Sequence, residues 1–119
     1  PIRGSIAMTG DGGLLMCLGE LNTAAKMKAN ICIIVFNDGC LSLIDIKREE
    51  RQMPDLGLSW DRPDFARVAK GFGFQSWKAE SIQEFTTACA EAKNQPGPCL
   101  IDVKIDPSGY LDQMKSLRG

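Results

Sequence analysis

The sequence predicts an α/β fold: an open, mostly parallel sheet with helices on both faces. Strand-like and helix-like segments alternate along the 119 residues with short connections, and this order produces right-handed βαβ units. The segment from Ile31 to Phe36 is continuously apolar and rich in β-branched residues, as is typical of a central parallel strand that is covered on both faces. The length fits a single domain.

The first predicted βα unit occupies the first quarter of the chain. A strand is expected over residues 5–9, and the glycine-rich stretch 10–13 ends it. Apolar residues at i, i+3, i+4 and i+7 then predict one helix from about Leu14 to Lys28. The apolar strand 31–36 follows.

The middle of the chain is more polar. We expect a short helix over 41–47, then a mobile loop that contains Pro54, Gly57 and Pro63. A helix over 61–70 is predicted by acidic residues and a proline near its first turn. The charged run 47–51 is interpreted as a solvated helix face, and Trp60 as a candidate interface residue in the loop.

The last part of the chain returns to strand–helix alternation. A short strand is expected over 72–77. Ser81 is a candidate N-cap of a helix that runs to about Lys93, and Glu84 completes a capping box. The remaining elements are a break at 95–98, a strand at 99–105 and a terminal turn or helix from Pro107. Met16 and Phe85 are assigned to the core.

Composition excludes several functions. The net charge of −1 comes from 14 basic and 15 acidic residues that are interspersed, which gives no basic patch for nucleic acid or an anionic membrane. The five cysteines include no C-x-x-C pair, so we expect free thiols in the reducing cytoplasm and no zinc site. There is no histidine, which excludes a self-contained Ser-His-Asp or Cys-His site.

The chemistry is concentrated where the first two strands end. Gly10, Asp11, Gly12 and Gly13 place a carboxylate among glycines where a strand passes into a helix. Glycine allows close approach of the backbone, and helix N-termini attract anions. A carboxylate beside an anion site is reasonable only if a cation such as Mg²⁺ lies between them. Asp38, 27 positions later at the end of the neighbouring strand, supplies the second oxygen ligand. The pattern predicts a metal-bridged diphosphate.

These motifs resemble a known family. Gly10-Asp11-Gly12, followed after 24 residues by Asn37-Asp38, is similar to the Gly-Asp-Gly and Asn-Asn motif of the thiamine diphosphate (ThDP) enzymes, in the acetolactate synthase and pyruvate decarboxylase superfamily. The stretches 20–24, 63–69 with 72–73, and 97–103 with 106–107 match further family motifs in the right order. The resemblance covers nearly the whole chain and implies the ThDP-binding fold of the C-terminal diphosphate-binding domain.

The resemblance also implies the site residues. Asp11 and Asp38 would be side-chain ligands of Mg²⁺, and the backbone carbonyl of Cys40 would complete the protein's share of the coordination shell. The implied cofactor-binding residues are Gly10, Gly12, Gly13, Asn37, Leu41, Ser42 and Leu43. Asp38 departs from the usual asparagine and adds a negative charge, and Ser42 stands where glycine is common.

The implied activity belongs to a longer protein. The resemblance implies decarboxylation of a 2-oxo acid and transfer of the resulting acyl carbanion, as in an acetolactate synthase. The stretch 44–51 lacks the pattern usual in biosynthetic acetolactate synthases, so a simple 2-oxo acid decarboxylase, a benzaldehyde-lyase-like carboligase and a non-catalytic relative remain alternatives. The family has an activating glutamate on a separate pyrimidine-binding domain, usually from a partner subunit.

We therefore expect residues 1–119 to be a truncated diphosphate- and Mg²⁺-binding domain of a homodimer or tetramer, inactive alone and without catalytic residues of its own. Substrate contacts, if any, are expected in a lid formed by residues 44–60. Two other α/β classes fit poorly. A signalling receiver needs a paired acidic cluster after its first strand, and a Rossmann domain needs a G-x-G-x-x-G motif after a strand.

Overall fold

A computed structural model describes residues 4–55 and 57–118, and only the backbone of residue 118. Within these residues the strands are β1 (Ser5–Gly10), β2 (Ile31–Asn37), β3 (Gln75–Ala79) and β4 (Cys99–Lys104). They form one sheet in the order β1-β2-β4-β3, and all pairs are parallel. The helices are α1 (Asp11–Met16), α2 (Glu20–Lys26), α3 (Ser42–Glu50), α4 (Phe65–Gly71), α5 (Ile82–Lys93) and α6 (Tyr110–Arg118), with a 3₁₀ turn at Pro107–Gly109.

The two faces of the sheet carry separate hydrophobic clusters. On one face Leu14 of α1, Leu21 of α2 and Phe65 of α4 pack around Val35 and Leu100. On the other face α5 packs its buried alanines against β4. Alternate residues of a strand point to opposite faces, so both clusters draw on the same central strands. This arrangement confirms the predicted parallel α/β sheet with helices on both faces.

The single helix predicted from Leu14 to Lys28 is wrong. Helix α1 starts three residues earlier, directly after β1, and the chain breaks between Met16 and Glu20. Backbone N–H groups in this break reach back three residues rather than four, and Gly19 has a low helix propensity. Met16, assigned to the core, therefore lies at a helix end and is 80% exposed.

Other boundaries also differ from prediction. Helix α3 continues through most of the charged run and ends at Glu50. The side chains of this run, 47–51, are largely exposed. Helix α4 begins at Phe65 rather than near residue 61, because the Asp64 side chain caps it by accepting the Arg67 N–H at 3.1 Å. Strand β3 begins late because the backbone N–H groups of residues 72–74 still bond to carbonyls of α4.

The predicted cap of α5 is confirmed. Ser81 Oγ accepts the Glu84 N–H at 3.1 Å, while the Glu84 carboxylate accepts the N–H of Glu80, one residue before the cap. Phe85 is half-buried against the second cluster, as expected. None of the helices in the described part of the chain is long and apolar enough to span a membrane.

Candidate functional site

The carboxyl ends of β1 and β2 lie side by side and hold the two aspartates selected from the sequence. Gly10 pairs with Phe36 at the end of the β1–β2 ladder, so the loops that follow the strands adjoin. Asp11 and Asp38 both line a cavity of about 570 Å³ at this edge of the sheet. The structure therefore brings together two carboxylates that are 27 positions apart in sequence.

Nearly all the predicted site residues line this same cavity. Besides the two aspartates, its lining includes Gly10, Gly12, Gly13, Cys40, Leu41, Ser42 and Leu43. Asn37 is the exception and lines a different cleft. Nine residues chosen from two short loops thus converge on one cavity, which supports the choice of these loops as the site.

Asp11 is held from one side only. It is 2% exposed, and its Oδ2 accepts the backbone N–H of Gly39 at 2.9 Å and the indole N–H of Trp60 at 3.1 Å. Both donors converge on Oδ2, so neither occupies Oδ1. Gly39 reaches this position with φ of +76°, a conformation that favours glycine.

Asp38 is held by its own loop. Its Oδ1 accepts the Cys40 N–H at 3.2 Å, and its Oδ2 accepts the Ser42 hydroxyl at 2.6 Å. Ser42 is the first residue of α3, so this hydrogen bond fixes the loop that carries Asp38 against the start of that helix. Ser42, which departs from the family's common glycine, gains a specific role here.

The two carboxylates repel each other. Burial raises the pKa of Asp11, and the neighbouring Asp38 carboxylate raises it further, while the N–H groups of Gly12 and Gly39 act in the opposite direction. Burial also raises the pKa of Tyr110, with Asp38 and Asp11 adding to the effect. An electrostatic strain of this kind is relieved by a cation between the carboxylates.

The Cys40 thiol lies among groups that disfavour its ionised form. Burial raises the pKa of its thiol, and the carboxylate of Asp45 raises it further. A metal-binding sulfur is a thiolate and normally has a lowered pKa. The raised pKa keeps the thiol protonated in the absence of a metal, and the role predicted for Cys40 uses its backbone carbonyl.

Two of the glycines lie close to neighbouring side chains. A methyl group on Gly12 would lie 2.8 Å from Leu41 Cδ2, and one on Gly13 would lie 2.7 Å from Thr9 Oγ1. Both distances are shorter than van der Waals contact, so a larger residue at either position would require the neighbouring side chain to move. A methyl group on Gly10 would meet nothing within 4 Å, so at that position the structure leaves open space beside the cavity.

Asn37 belongs to a separate buried network. Its Nδ2 donates to Asp102 Oδ1 at 3.1 Å and to the Pro63 carbonyl at 3.0 Å, while Asp102 Oδ2 accepts the Phe65 N–H at 3.0 Å. The Asn37 Oδ1 is buried without a hydrogen-bond partner among the described residues. The Asn37 side chain thus joins β2 to β4 and to the start of α4, away from the cavity.

Sequence reasoning missed the far wall of the cavity and the contact of Trp60. Four residues of α6 line the cavity: Tyr110, Gln113, Met114 and Leu117. Their i, i+3, i+4, i+7 spacing is an available signal of one helix face. The contact between Trp60 and Asp11 joins residues 49 positions apart, and no local sequence pattern predicts it.

The donor set fits a hard divalent cation. No Lys or Arg is among the lining residues of the cavity, so no side-chain cation in its lining offsets the two carboxylates. The described residues contain no cluster of three or more His, Cys, Asp or Glu side chains that could hold a metal. Mg²⁺ requires only one or two carboxylates when phosphate oxygens and water fill the rest of its shell.

An open parallel sheet with acidic and glycine-rich loops at the carboxyl ends of neighbouring strands defines a class of α/β ligand-binding domains. The sequence matches the family of the thiamine pyrophosphate enzyme, C-terminal TPP binding domain, over residues 1–103. The chain belongs to this family, whose cofactor, thiamine pyrophosphate, is ThDP.

Relatives within the family carry different activities. The chain is 29% identical over 107 residues to the acetolactate synthase of Bacillus subtilis (strain 168), matching 90% of this chain and 19% of the relative. It is 29% identical over 123 residues to a 3D-(3,5/4)-trihydroxycyclohexane-1,2-dione hydrolase of Shouchella clausii (strain KSM-K16), matching 98% of this chain and 19% of the relative.

A solved structure shows the same fold. The benzoylformate decarboxylase of Polynucleobacter necessarius superposes with a TM-score of 0.81 at 26% identity, covering 88% of this chain and 20% of the decarboxylase. The chain thus spans about a fifth of the length of these relatives. Synthase, hydrolase and decarboxylase are all represented, so family membership leaves the reaction open.

Proposed function

We propose that this domain binds the diphosphate of ThDP through a Mg²⁺ ion held by the side chains of Asp11 and Asp38 and the backbone carbonyl of Cys40. The observation that carries the proposal is the convergence of buried Asp11 and half-buried Asp38 on one cavity whose lining includes no Lys or Arg. A diphosphate would be repelled by this site unless a divalent cation compensated the charge.

Different residues of the chain would bind the metal, accommodate the phosphates and contact the apolar part of the cofactor. Asp11 Oδ1 accepts neither of the two donors that bind Oδ2 and would bind the ion. The open space at Gly10 and the glycine backbone of Gly12 and Gly13 allow close approach of the phosphates. Leu41 and Leu43 supply an apolar wall along the cavity. When bound, the cofactor would supply the stabilisation of a carbanion formed at a carbonyl carbon.

The whole protein is proposed to be a ThDP-dependent enzyme of the acetolactate synthase-like type, acting on a 2-oxo acid. The similarity to acetolactate synthase supports this activity. A simple decarboxylase is the second candidate, favoured by the similarity to the benzoylformate decarboxylase. A carboligase of the benzaldehyde-lyase type and a non-catalytic relative are the further alternatives.

The rest of the active site is proposed to lie outside residues 1–119, on a pyrimidine-binding domain that a partner subunit contributes in a homo-oligomer. On the β1 side of the sheet Ile6 and Met8 are 70% and 69% exposed, although parallel sheets are normally covered on both faces. This apolar face supports the proposal that further chain packs there. The free state of the described cysteines supports a reducing, cytoplasmic location.

Calorimetric titration of the full-length protein with ThDP tests the binding proposal. We expect saturable binding in Mg²⁺ and on the order of 100-fold weaker binding in excess EDTA. Equal affinity in both buffers would contradict the proposed metal bridge.

Product analysis tests the activity separately. The full-length protein, loaded with ThDP and Mg²⁺, is incubated with pyruvate and with benzoylformate. Acetolactate from pyruvate supports the synthase, and a free aldehyde supports the decarboxylase. Consumption of neither 2-oxo acid, under conditions in which ThDP binds, would favour the non-catalytic relative.

A further inference from the structure

Trp60 links the two loops that hold the aspartates. Its indole N–H donates to Asp11 Oδ2 at 3.1 Å, and its ring carbon Cη2 would lie 3.5 Å from a methyl group placed on Gly12. The ring therefore covers the glycine next to Asp11 while its N–H fixes the carboxylate. The side chain is half-buried.

The backbone around Trp60 is paired with the loop of Asp38. The Trp60 N–H donates to the Gly39 carbonyl at 2.9 Å, and the Leu41 N–H donates to the Leu58 carbonyl at 2.9 Å. Between them Ser59 forms an antiparallel bridge with Cys40. Residues 58–60 thus form a short ladder with residues 39–41, directly after Asp38.

We propose that Trp60 is a positioning residue for the metal ligand Asp11. The ladder fixes the main chain of Trp60 to the loop that follows Asp38, and the indole connects it to Asp11. With Oδ2 held by the indole and by Gly39, the carboxylate plane is fixed and Oδ1 is presented to the ion. Outer partners of this kind orient ligands and influence metal affinity. This inference rests on the proposed function, since it assigns a role relative to the Mg²⁺ site.

The competing explanation is that the indole only fills space. Trp77 provides a matched control for it. Trp77 is also half-buried and also donates its indole N–H to a carboxylate, Glu91 Oε2 at 2.6 Å. It packs with the α5 cluster, and its partner Glu91, unlike Asp11, does not line the cavity. If the loss of any indole hydrogen bond weakened the protein generally, both tryptophans would show the effect.

The test is Mn²⁺ binding to the full-length protein at fixed ThDP, measured from the electron paramagnetic resonance signal of free Mn²⁺ at pH 8. Trp60→Phe keeps an aromatic ring and removes the N–H, and we expect about tenfold weaker Mn²⁺ binding. Trp77→Phe is expected to bind Mn²⁺ within about twofold of wild type.

Trp60→His separates the hydrogen bond from the volume of the side chain. The Nε2 atom of a histidine occupies the same place in its five-membered ring as the indole nitrogen, and the ring is neutral at pH 8. We expect this variant to bind Mn²⁺ within about threefold of wild type although it loses half of the ring system. If Trp60→Phe does not fold, Trp60→His still tests the role of the hydrogen bond.

Two results would overturn the inference: folded Trp60→Phe that binds Mn²⁺ as tightly as wild type, or folded Trp60→His that binds tenfold more weakly. Asp11→Asn distinguishes this failure from failure of the proposed function. If Asp11→Asn abolishes binding while Trp60→Phe leaves it unchanged, only the positioning role is wrong. If wild type and Asp11→Asn bind Mn²⁺ equally, the metal site itself is wrong.

Discussion

Asp11 and Asp102 are both buried aspartates, and each accepts one backbone N–H and one side-chain N–H, but they use their oxygens differently. Asp102 gives one oxygen to Asn37 and the other to the backbone of Phe65. Asp11 receives both of its donors on Oδ2. The first arrangement uses the whole carboxylate to join structural elements, and the second leaves an oxygen facing a cavity that a second carboxylate also lines.

The groups that shift the pKa of Asp11 and of Asp102 also differ. Burial raises the pKa of both aspartates. At Asp102 the Asn37 amide and the Phe65 N–H lower it in part, so the protein itself supplies the compensation. At Asp11 the largest influence after burial is another carboxylate, Asp38, and the N–H groups of Gly12 and Gly39 that lower the pKa come after it; at Asp102 the order is reversed, with the carboxylate of Asp64 acting after the donors. The comparison indicates that burial alone does not mark a ligand site, because Asp102 is buried with both oxygens used by the protein.

The largest expected effect comes from Asp11→Asn. We expect the affinity for Mn²⁺ in the presence of ThDP to fall on the order of 100-fold, because the one oxygen of asparagine is taken by the two donors and the remaining NH₂ group cannot bind a cation. The free energy of unfolding without metal should stay within about 0.5 kcal/mol of wild type, because the single oxygen of asparagine still accepts both donors and the repulsion by Asp38 is removed. Calorimetry and urea unfolding measure the two effects.

Asp112→Asn is the control for that prediction. Asp112 lies on α6, is exposed and does not line the cavity, so its substitution removes the same formal charge nearby without removing a ligand. A loss of affinity similar to that of Asp11→Asn would mean that general charge, rather than coordination, governs binding.

Asp102→Asn should show the opposite pattern. Each of its two oxygens accepts one donor. Asparagine has only one side-chain oxygen, so one buried N–H would face the amide NH₂ group instead of an acceptor. We expect a loss of about 1–3 kcal/mol in the free energy of unfolding, with Mn²⁺ affinity within about threefold of wild type once the variant is folded. Urea unfolding without metal gives the stability, and a loss below 0.5 kcal/mol would contradict the structural role.

The pH dependence of that loss follows from the raised pKa of Asp102. A carboxyl whose folded pKa lies above its unfolded value of about 3.9 binds its proton more tightly in the folded state. Its contribution to stability is present below the unfolded pKa and is lost as pH rises through the folded pKa. The stability difference between wild type and Asp102→Asn should therefore be largest in acid and shrink as pH rises.

The smallest effect concerns Asp38. Because the carboxylate of Asp38 raises the pKa of Asp11, Asp38→Asn should lower it, and metal binding, which needs ionised Asp11, should persist to lower pH than in wild type. The amide oxygen remains a possible ligand, so affinity at neutral pH should change by less than about tenfold. Mn²⁺ titrations across the pH range measure both, and an unchanged acid limit would contradict coupling of the two carboxylates.

The sequence was sufficient to predict the sheet and the two acidic loops because the causes are local. The apolar β2 segment marks a buried parallel strand, and in a parallel sheet loops that follow adjacent strands lie at one edge. Asp11 and Asp38 each directly follow a strand, so their meeting follows from topology alone.

The rest of the site depends on contacts between distant segments. Trp60 reaches Asp11 through a ladder between two irregular segments, which has no periodic pattern. Asn37 directly precedes Asp38, yet its amide is recruited by Asp102, 65 positions away, so adjacency in the motif did not predict the direction of the side chain.

The most direct test of the account is the coupling between bound Mn²⁺ and phosphorus in the full-length protein with ThDP, measured by pulsed electron–nuclear double resonance. We expect strong ³¹P coupling in wild type and in Asp112→Asn, and its loss in Asp11→Asn at the same metal concentration. Bound Mn²⁺ without ³¹P coupling in wild type, or the same coupling in Asp11→Asn, would contradict a diphosphate held by an ion between the two aspartates.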